Sequence, residues 1–112
     1  MKKLFLLAAL VATGAHAQSS ILLSGQELYA RMNGTEGHRM MALGYVAGVA
    51  DTKAGTTICI PAGVVTLGQM RDMVQQTLER IPSERHMPAD VFVEATLSQR
   101  WPCSTNKRGN SL

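Results

Sequence analysis

Apolar residues in this chain form one unbroken N-terminal run and, further on, four stretches with helical spacing. Lys2 and Lys3 precede the run Leu4–Val11, which is too short to span a bilayer. Small residues occupy both recognition positions of Ala15-His16-Ala17. This is the pattern of a secretory signal peptide, the alternative being a buried N-terminal helix. The sequence predicts cleavage after Ala17 and, because no second anchor follows, a periplasmic protein of 95 residues (112 minus 17).

Two capping boxes predict where helices begin. In Ser24-Gly25-Gln26-Glu27 the serine hydroxyl can accept the Glu27 N–H while the Glu27 carboxylate reaches back, which predicts a helix from Gly25 to about Met32. Thr66-Leu67-Gly68-Gln69 repeats the pattern. The helix that follows it is amphipathic and stops at Pro82. Its apolar positions are Leu67, Met70, Val74, Leu78 and Ile81.

Between these two helices lies a stretch, residues 40–50, in which almost every residue is apolar or small. Thr35 can cap a helix from Glu36 to about Thr52, and its apolar stretch of residues 40–50 predicts a helix buried all round at the centre of the domain. Gly44 and Gly48 lie one turn apart. Because a glycine inside a helix costs about 1 kcal/mol relative to alanine, we expect another backbone to approach closely there. A merely weak helix is the alternative.

The C-terminal part predicts a last helix and a cross-link. Pro88 suits the first turn of this helix, whose apolar residues recur at four-residue steps. Those residues are Ala89, Val93, Leu97 and Trp101, joined by Phe92. Cys59 and Cys103, an even pair in an oxidising compartment, predict one disulfide, with a redox or metal pair as the alternative. The predicted fold is all-α: a compact bundle of about four helices with one disulfide over residues 18–103, followed by a mobile polar tail over residues 104–112.

Charge and residue types exclude several classes of function. The formal charge is +3, and removal of Lys2 and Lys3 leaves +1. Charges of both signs are interspersed, so neither the basic footprint of a nucleic-acid-binding protein nor a polybasic membrane contact is present. No serine stands in a Gly-x-Ser-x-Gly turn, and oxidised cysteines offer no thiolate. The sequence therefore predicts a protein that acts by binding, with no catalytic residue and no cofactor.

Histidine and methionine together raise one alternative. His38 lies near Met41, and His86 precedes Met87. These side chains can bind cuprous copper, which makes a copper-handling protein an alternative function. Methionine inside an apolar helix is more often core filler, and zinc has no four-ligand set here. We therefore predict no metal site.

Five short motifs carry a resemblance to a known family. They are Gly44-Tyr45-Val46-Ala47-Gly48-Val49-Ala50-Asp51, Cys59-Ile60-Pro61, Val65-Thr66-Leu67-Gly68-Gln69, Ile81-Pro82-Ser83-Glu84-Arg85-His86-Met87-Pro88-Ala89 and Arg100-Trp101-Pro102-Cys103. In this order they resemble the Rap/Tai family of periplasmic immunity proteins over about residues 24–103. The resemblance implies a helical domain, often a homodimer, that neutralises a peptidoglycan amidase delivered by type VI secretion. It does so by placing a protruding element in the amidase cleft, which occludes the catalytic cysteine and histidine.

The resemblance also implies roles for individual residues. Gly44, Tyr45 and Gly48 would pack helices, Pro61, Pro82 and Pro88 would set connectors, and Trp101 would fill the core. Family members often carry two further cysteines, and Met32 and Ala42 stand at about those positions.

The surface that meets the partner is predicted in one of two segments. The first is the connector Ser83–Met87, with Arg85 and His86 as candidate contacts, and the second is the loop Lys53–Thr57. The alternative function is that of an orphan periplasmic helical protein, such as a stress chaperone or an envelope adaptor.

Overall fold

The computed structural model describes residues 22–104, and four helices make up most of it. They are α1 (Gly25–Met32), α2 (Glu36–Lys53), α3 (Leu67–Arg80) and α4 (Ala89–Arg100), with a 3₁₀ turn (Pro82–Glu84) before α4. The predicted all-α bundle with one disulfide is confirmed. The predicted signal peptide, and the predicted tail beyond Ser104, lie outside the described residues. Within residues 22–104, no helix is both long and apolar enough to cross a membrane.

Both capping boxes form as the sequence predicts. The Ser24 hydroxyl accepts the Glu27 N–H at 3.1 Å, and the Glu27 carboxylate accepts the Ser24 N–H at 2.8 Å. Thr66 and Gln69 make the same reciprocal pair at 3.2 and 2.9 Å. These bonds satisfy N–H groups that have no partner inside the helix. Pro88 differs by one residue from the prediction, because it directly precedes α4 in an extended conformation.

The hydrophobic core lies where the four helices meet, and each helix contacts the other three. Its members come from every helix, from Leu23 before α1 and from Ile58 in the connector between α2 and α3. The largest fully buried side chains are Leu28, Val46, Ile58, Val74, Leu78, Val93 and Leu97. Met32 and Ala42, which stand where the family often has two more cysteines, are both buried in this core. The contact between α1 and α2 is therefore apolar at these positions.

The prediction that α2 is buried all round is wrong. Ala42, Val46 and Ala50 are buried, but Met40 and Met41 are 61% and 54% exposed. The buried residues recur every four positions, so only one side of α2 faces the other helices. Within residues 22–104 nothing covers the opposite side of this helix at its glycines.

The N-terminus of α1 is fixed against the connector that leads into α4. The N–H groups of Gly25 and Gln26 donate to the carbonyls of Met87 and Arg85 at 2.8 and 2.7 Å. These N–H groups belong to the first turn of α1, where no intrahelical acceptor exists. A Cβ on Gly25 would stand 2.6 Å from Cε2 of Phe92, so only glycine permits this close approach.

The disulfide joins the end of α4 to the connector between α2 and α3. Cys59 and Cys103 are bonded with their Cα atoms 4.9 Å apart, and the Cys59 N–H donates to the Trp101 carbonyl at 2.9 Å. Trp101 is partly buried and packs against the core. Its position after the last helical turn places it beside the cross-link and at the rim of the bundle.

Candidate functional site

One face of α2 points to solvent and carries no charged side chain over its central turns. Gly37, Met40, Met41, Gly44 and Gly48 recur at spacings of three and four, so they share this face. All five are exposed. We call this set the outer face of α2. It combines two long flexible side chains with three positions of bare backbone.

The expected close helix–helix contact at Gly44 and Gly48 is not made within the described chain. An ideal Cβ built on either glycine meets no atom within 4 Å, and the same is true of Gly37. Each of these glycines lowers helix stability by about 1 kcal/mol relative to alanine, and packing within residues 22–104 does not offset that cost. The glycines leave the surface of α2 open instead of admitting a neighbouring helix.

An open groove of about 430 Å³ runs over Gly44 and Gly48, between α2 and the start of α4. Its lining includes Gly44, Tyr45, Gly48, Thr52, Lys53 and Asp90. The Thr52 hydroxyl donates to the Gly48 carbonyl at 2.7 Å, and the Lys53 ammonium lies 3.3 Å from the Glu94 carboxylate. Both polar groups are therefore occupied by partners within the fold. We call this feature the α2–α4 groove.

Tyr45 and Asp90 bring aromatic and acidic chemistry to the groove. Burial of the Tyr45 side chain raises the pKa of its phenol, and the nearby Asp90 carboxylate raises it further, whereas the backbone N–H of Asp90 has the opposite effect. Tyr45 of α2 and Asp90 in the first turn of α4 thus line the same groove. The Asp90 carboxylate is exposed and forms no ion pair with any residue between 22 and 104.

Arg85, a predicted partner contact, is engaged within the fold. Its Nε donates to the Leu78 carbonyl at 2.6 Å, and its guanidinium carbon lies 3.9 Å from the centroid of the Tyr29 ring. The Leu78 carbonyl belongs to the last turn of α3, where carbonyls lack intrahelical donors. The structure thus gives the Arg85 side chain a role in holding helices together, which the sequence pattern did not indicate.

His86 and Met87 remain at the surface of the same connector. Both are exposed, and Nδ1 of His86 lies 3.2 Å from the Ser83 carbonyl oxygen. His38 and Met41 are exposed on α2. In the described part of the chain, no three or more His, Cys, Asp or Glu side chains group together as metal ligands would.

The loop Lys53–Thr57 is short and strongly hydrogen-bonded. The Lys53 carbonyl accepts the N–H groups of Thr56, Thr57 and Ile58 at 3.1 to 3.2 Å. Gly55 has a φ of +80°, a conformation that side-chain-bearing residues rarely adopt. The loop begins at Lys53, so it borders the α2–α4 groove.

A second exposed turn, Pro61–Val64, was missed by the sequence reasoning. Val64 is 56% exposed, and Gly63 has a φ of +75°. The disulfide at Cys59 anchors one end of this turn, and the Thr66 capping box anchors the other. The nearby pair of proline and glycine was a local turn signal, but spacing alone did not indicate an exposed apolar tip.

Comparison with known proteins identifies a family that this chain matches. The family model described as Rap1a immunity proteins matches residues 24–103, which is most of the chain. The match covers all four helices and both cysteines of the disulfide. A comparison with curated protein sequences finds no match.

Proposed function

Because the chain belongs to the Rap1a immunity proteins, we propose that it neutralises a peptidoglycan amidase delivered by type VI secretion, by binding it in the periplasm and occluding its active site. The family implies binding to a secreted effector, and its members generally act without catalysis. The amidase as target, the periplasm as compartment and occlusion as mechanism are the finer parts of this proposal.

The observation that carries the proposal is the family match over residues 24–103. The disulfide between Cys59 and Cys103 supports an exported protein, since such bonds persist in oxidising compartments. The exposed outer face of α2 and the α2–α4 groove support a role in binding, since open apolar surface on a small domain often marks a contact site.

The contact surface is better sought at the groove than at Arg85. Of the two predicted segments, Lys53–Thr57 borders the groove, whereas in Ser83–Met87 the Arg85 side chain is committed to Tyr29 and Leu78. In that connector, His86 is the candidate that stays exposed and available to a partner. Substitution of His86 therefore tests the first segment without disturbing the packing of Arg85.

The decisive experiment directs a type VI amidase effector from the source bacterium to the periplasm of a test bacterium. Co-expression of the full 112-residue chain is expected to restore growth. Purified protein should also form a stoichiometric complex with the amidase and stop its cleavage of isolated peptidoglycan. Continued lysis, together with no complex at micromolar concentration, would contradict the proposal.

A matched control tests the compartment. A chain that lacks residues 2–17 keeps the domain but loses the predicted signal peptide. It should stay in the cytoplasm and fail to protect against the periplasmic amidase. Equal protection by both chains would contradict export through this segment.

The same preparations test the remaining parts of the proposal. Sedimentation of the purified protein at micromolar concentration is expected to show the implied homodimer. A monomer across that concentration range would contradict the homodimer.

Capture of many unrelated envelope proteins in place of one amidase would favour an envelope chaperone or adaptor. Binding of cuprous ion that depends on both His38 and His86 would favour a copper-handling protein.

A further inference from the structure

The α2–α4 groove is an exposed feature that the fold itself does not use. Gly44 and Gly48 form its floor, and neither is required by a contact within residues 22–104, because a Cβ at either position meets open space. Alanine there would stabilise the helix without a clash. The bare backbone is therefore best explained by something outside the described chain that comes close to α2.

The chemistry of the groove indicates the charge of its occupant. Lys53 is paired with Glu94 at 3.3 Å, and the Thr52 hydroxyl is bonded to the Gly48 carbonyl. The Asp90 carboxylate is the lining charge that has no ion-pair partner among the described residues. It shares the lining of the groove with Tyr45. A carboxylate beside an aromatic ring suits a cation, and a planar guanidinium suits this pair best.

We propose that the α2–α4 groove receives an arginine side chain of the protein partner, with the guanidinium between Asp90 and Tyr45 and the partner's backbone over Gly44 and Gly48. This inference rests on the proposed function, since it names the site at which the amidase effector docks. Of the outer face of α2, the exposed Met40 and Met41 continue the contact beyond the groove, whereas Gly37, near the N-terminus of α2, lies outside the contact. Methionine adapts its shape to a partner surface, which suits that position.

The first test needs no effector. The full-length chain, exported and disulfide-bonded, is titrated with N-acetyl-L-arginine amide while backbone amide resonances are followed by NMR. The amides of Gly44, Tyr45 and Gly48 should shift in a saturable way. The matched apolar probe, N-acetyl-L-norleucine amide, and the Asp90→Asn variant should each abolish that saturation. Shifts that are absent, or that are the same with both probes, would overturn the inference.

The second test uses the amidase effector and two matched glycine variants. Gly48→Gln places a good helix-forming side chain in the groove, whereas Gly37→Gln places the same side chain on the same helix outside it. We expect Gly48→Gln to weaken the complex at least about tenfold, Asp90→Asn about fivefold, and Gly37→Gln less than about twofold. Thermal unfolding should show that neither glutamine variant is destabilised.

The outcomes separate this inference from the proposed function. If the wild-type protein captures no amidase, the proposed function fails and the arginine titration still decides the chemistry of the groove. If the wild type binds and Gly48→Gln binds equally well, the groove inference alone fails. If Gly48→Gln changes the sedimentation of the free protein and leaves effector affinity unchanged, the groove is an interface between two copies and the inference is overturned.

Discussion

The guanidinium carbon of Arg85 lies 3.9 Å from the centroid of the Tyr29 ring, which joins the connector before α4 to α1. The same side chain donates from Nε to the Leu78 carbonyl at 2.6 Å, and the Arg85 carbonyl accepts the Gln26 N–H at 2.7 Å. One residue thus links α1, the C-terminal turn of α3 and the connector. Its charged guanidinium group therefore interacts with other parts of the fold and not only with solvent.

Arg85→Lys is expected to destabilise the protein by about 1 to 2 kcal/mol, because lysine has neither the planar stack on Tyr29 nor the Nε donor. Urea unfolding of the purified protein measures this. The matched control is Arg39→Ala, since the Arg39 side chain is exposed on α2 and makes no hydrogen bond or ion pair within residues 22–104. Its effect should stay within about 0.5 kcal/mol. Equal midpoints for the two variants would refute a structural role of Arg85.

Gly25→Ala is expected to cost about 1 to 3 kcal/mol, because the new methyl group would overlap Phe92 in a packed region. The Arg85 carbonyl, 3.1 Å from the same Cβ position, limits any movement away from the ring. Gly37→Ala is the matched control, since its Cβ meets nothing within 4 Å. It should stabilise the protein by up to about 1 kcal/mol. If both glycine variants shift the urea midpoint in the same direction, the close approach of Gly25 to Phe92 does not determine the stability of the Gly25 variant.

The helices were predictable because their signals are local. The two capping boxes set the starts of α1 and α3 to the residue, and Pro82 limited the end of α3, which stops at Arg80. The disulfide was also predictable, since two cysteines in a predicted exported chain have one pairing. The 3₁₀ turn that begins at Pro82 was not predicted, because three residues carry too little periodicity.

The exposed side of α2 could not be predicted, because its residues look like a core. Met40, Met41 and Gly48 have the composition of a buried helix, and only the position of α2 in the bundle decides which side is covered. The groove was missed for the same reason. It depends on the placement of Asp90 of α4 beside Tyr45, which are 45 residues apart along the chain (90 minus 45).

The Cys59–Cys103 bond is expected to contribute up to about 4 kcal/mol, because it closes a long loop in the unfolded chain. The double variant Cys59→Ala/Cys103→Ala should lower the urea midpoint by the amount that a reductant lowers it for the wild type. The variant itself should not respond to reductant, which is the internal control. A wild-type midpoint that is unchanged by complete reduction would show that the bond does not stabilise the fold.

The lowered pKa of Glu27 predicts that the stabilisation by its capping box is lost in acid. The hydrogen bond from the Ser24 backbone N–H, together with the bond from the Ser24 side chain, lowers the pKa of the Glu27 carboxyl below its ordinary value. The folded state therefore releases this proton more readily than the unfolded chain. The stabilisation is present above the ordinary glutamate pKa and is lost as the pH falls through the lowered value.

Glu27→Gln tests that dependence, because glutamine can still accept the Ser24 N–H but does not titrate. Urea midpoints are measured between about pH 2 and 7, a range that spans the carboxyl titrations. The wild type should lose more stability than the variant as the pH falls, and the difference should vanish at the acid end. Parallel curves for the two proteins would assign the acid sensitivity to other carboxyl groups.

The raised pKa of Tyr45 predicts a loss of stability at alkaline pH, and the titration of this phenol reports on the groove. Burial raises the pKa of its phenol above the ordinary value of 10.0, and the Asp90 carboxylate adds to the shift. The folded protein holds this proton to higher pH than the unfolded chain does, so this group's contribution to stability is complete below pH 10 and is lost as the pH rises beyond it.

NMR of ¹³C-labelled tyrosine separates the Tyr45 and Tyr29 titrations. Asp90→Asn should lower the Tyr45 pKa towards the ordinary value, whereas Asp72→Asn on α3 should leave it unchanged. An unaltered Tyr45 titration in Asp90→Asn would mean that the carboxylate does not reach the phenol, which would remove the electrostatic basis for an arginine between them.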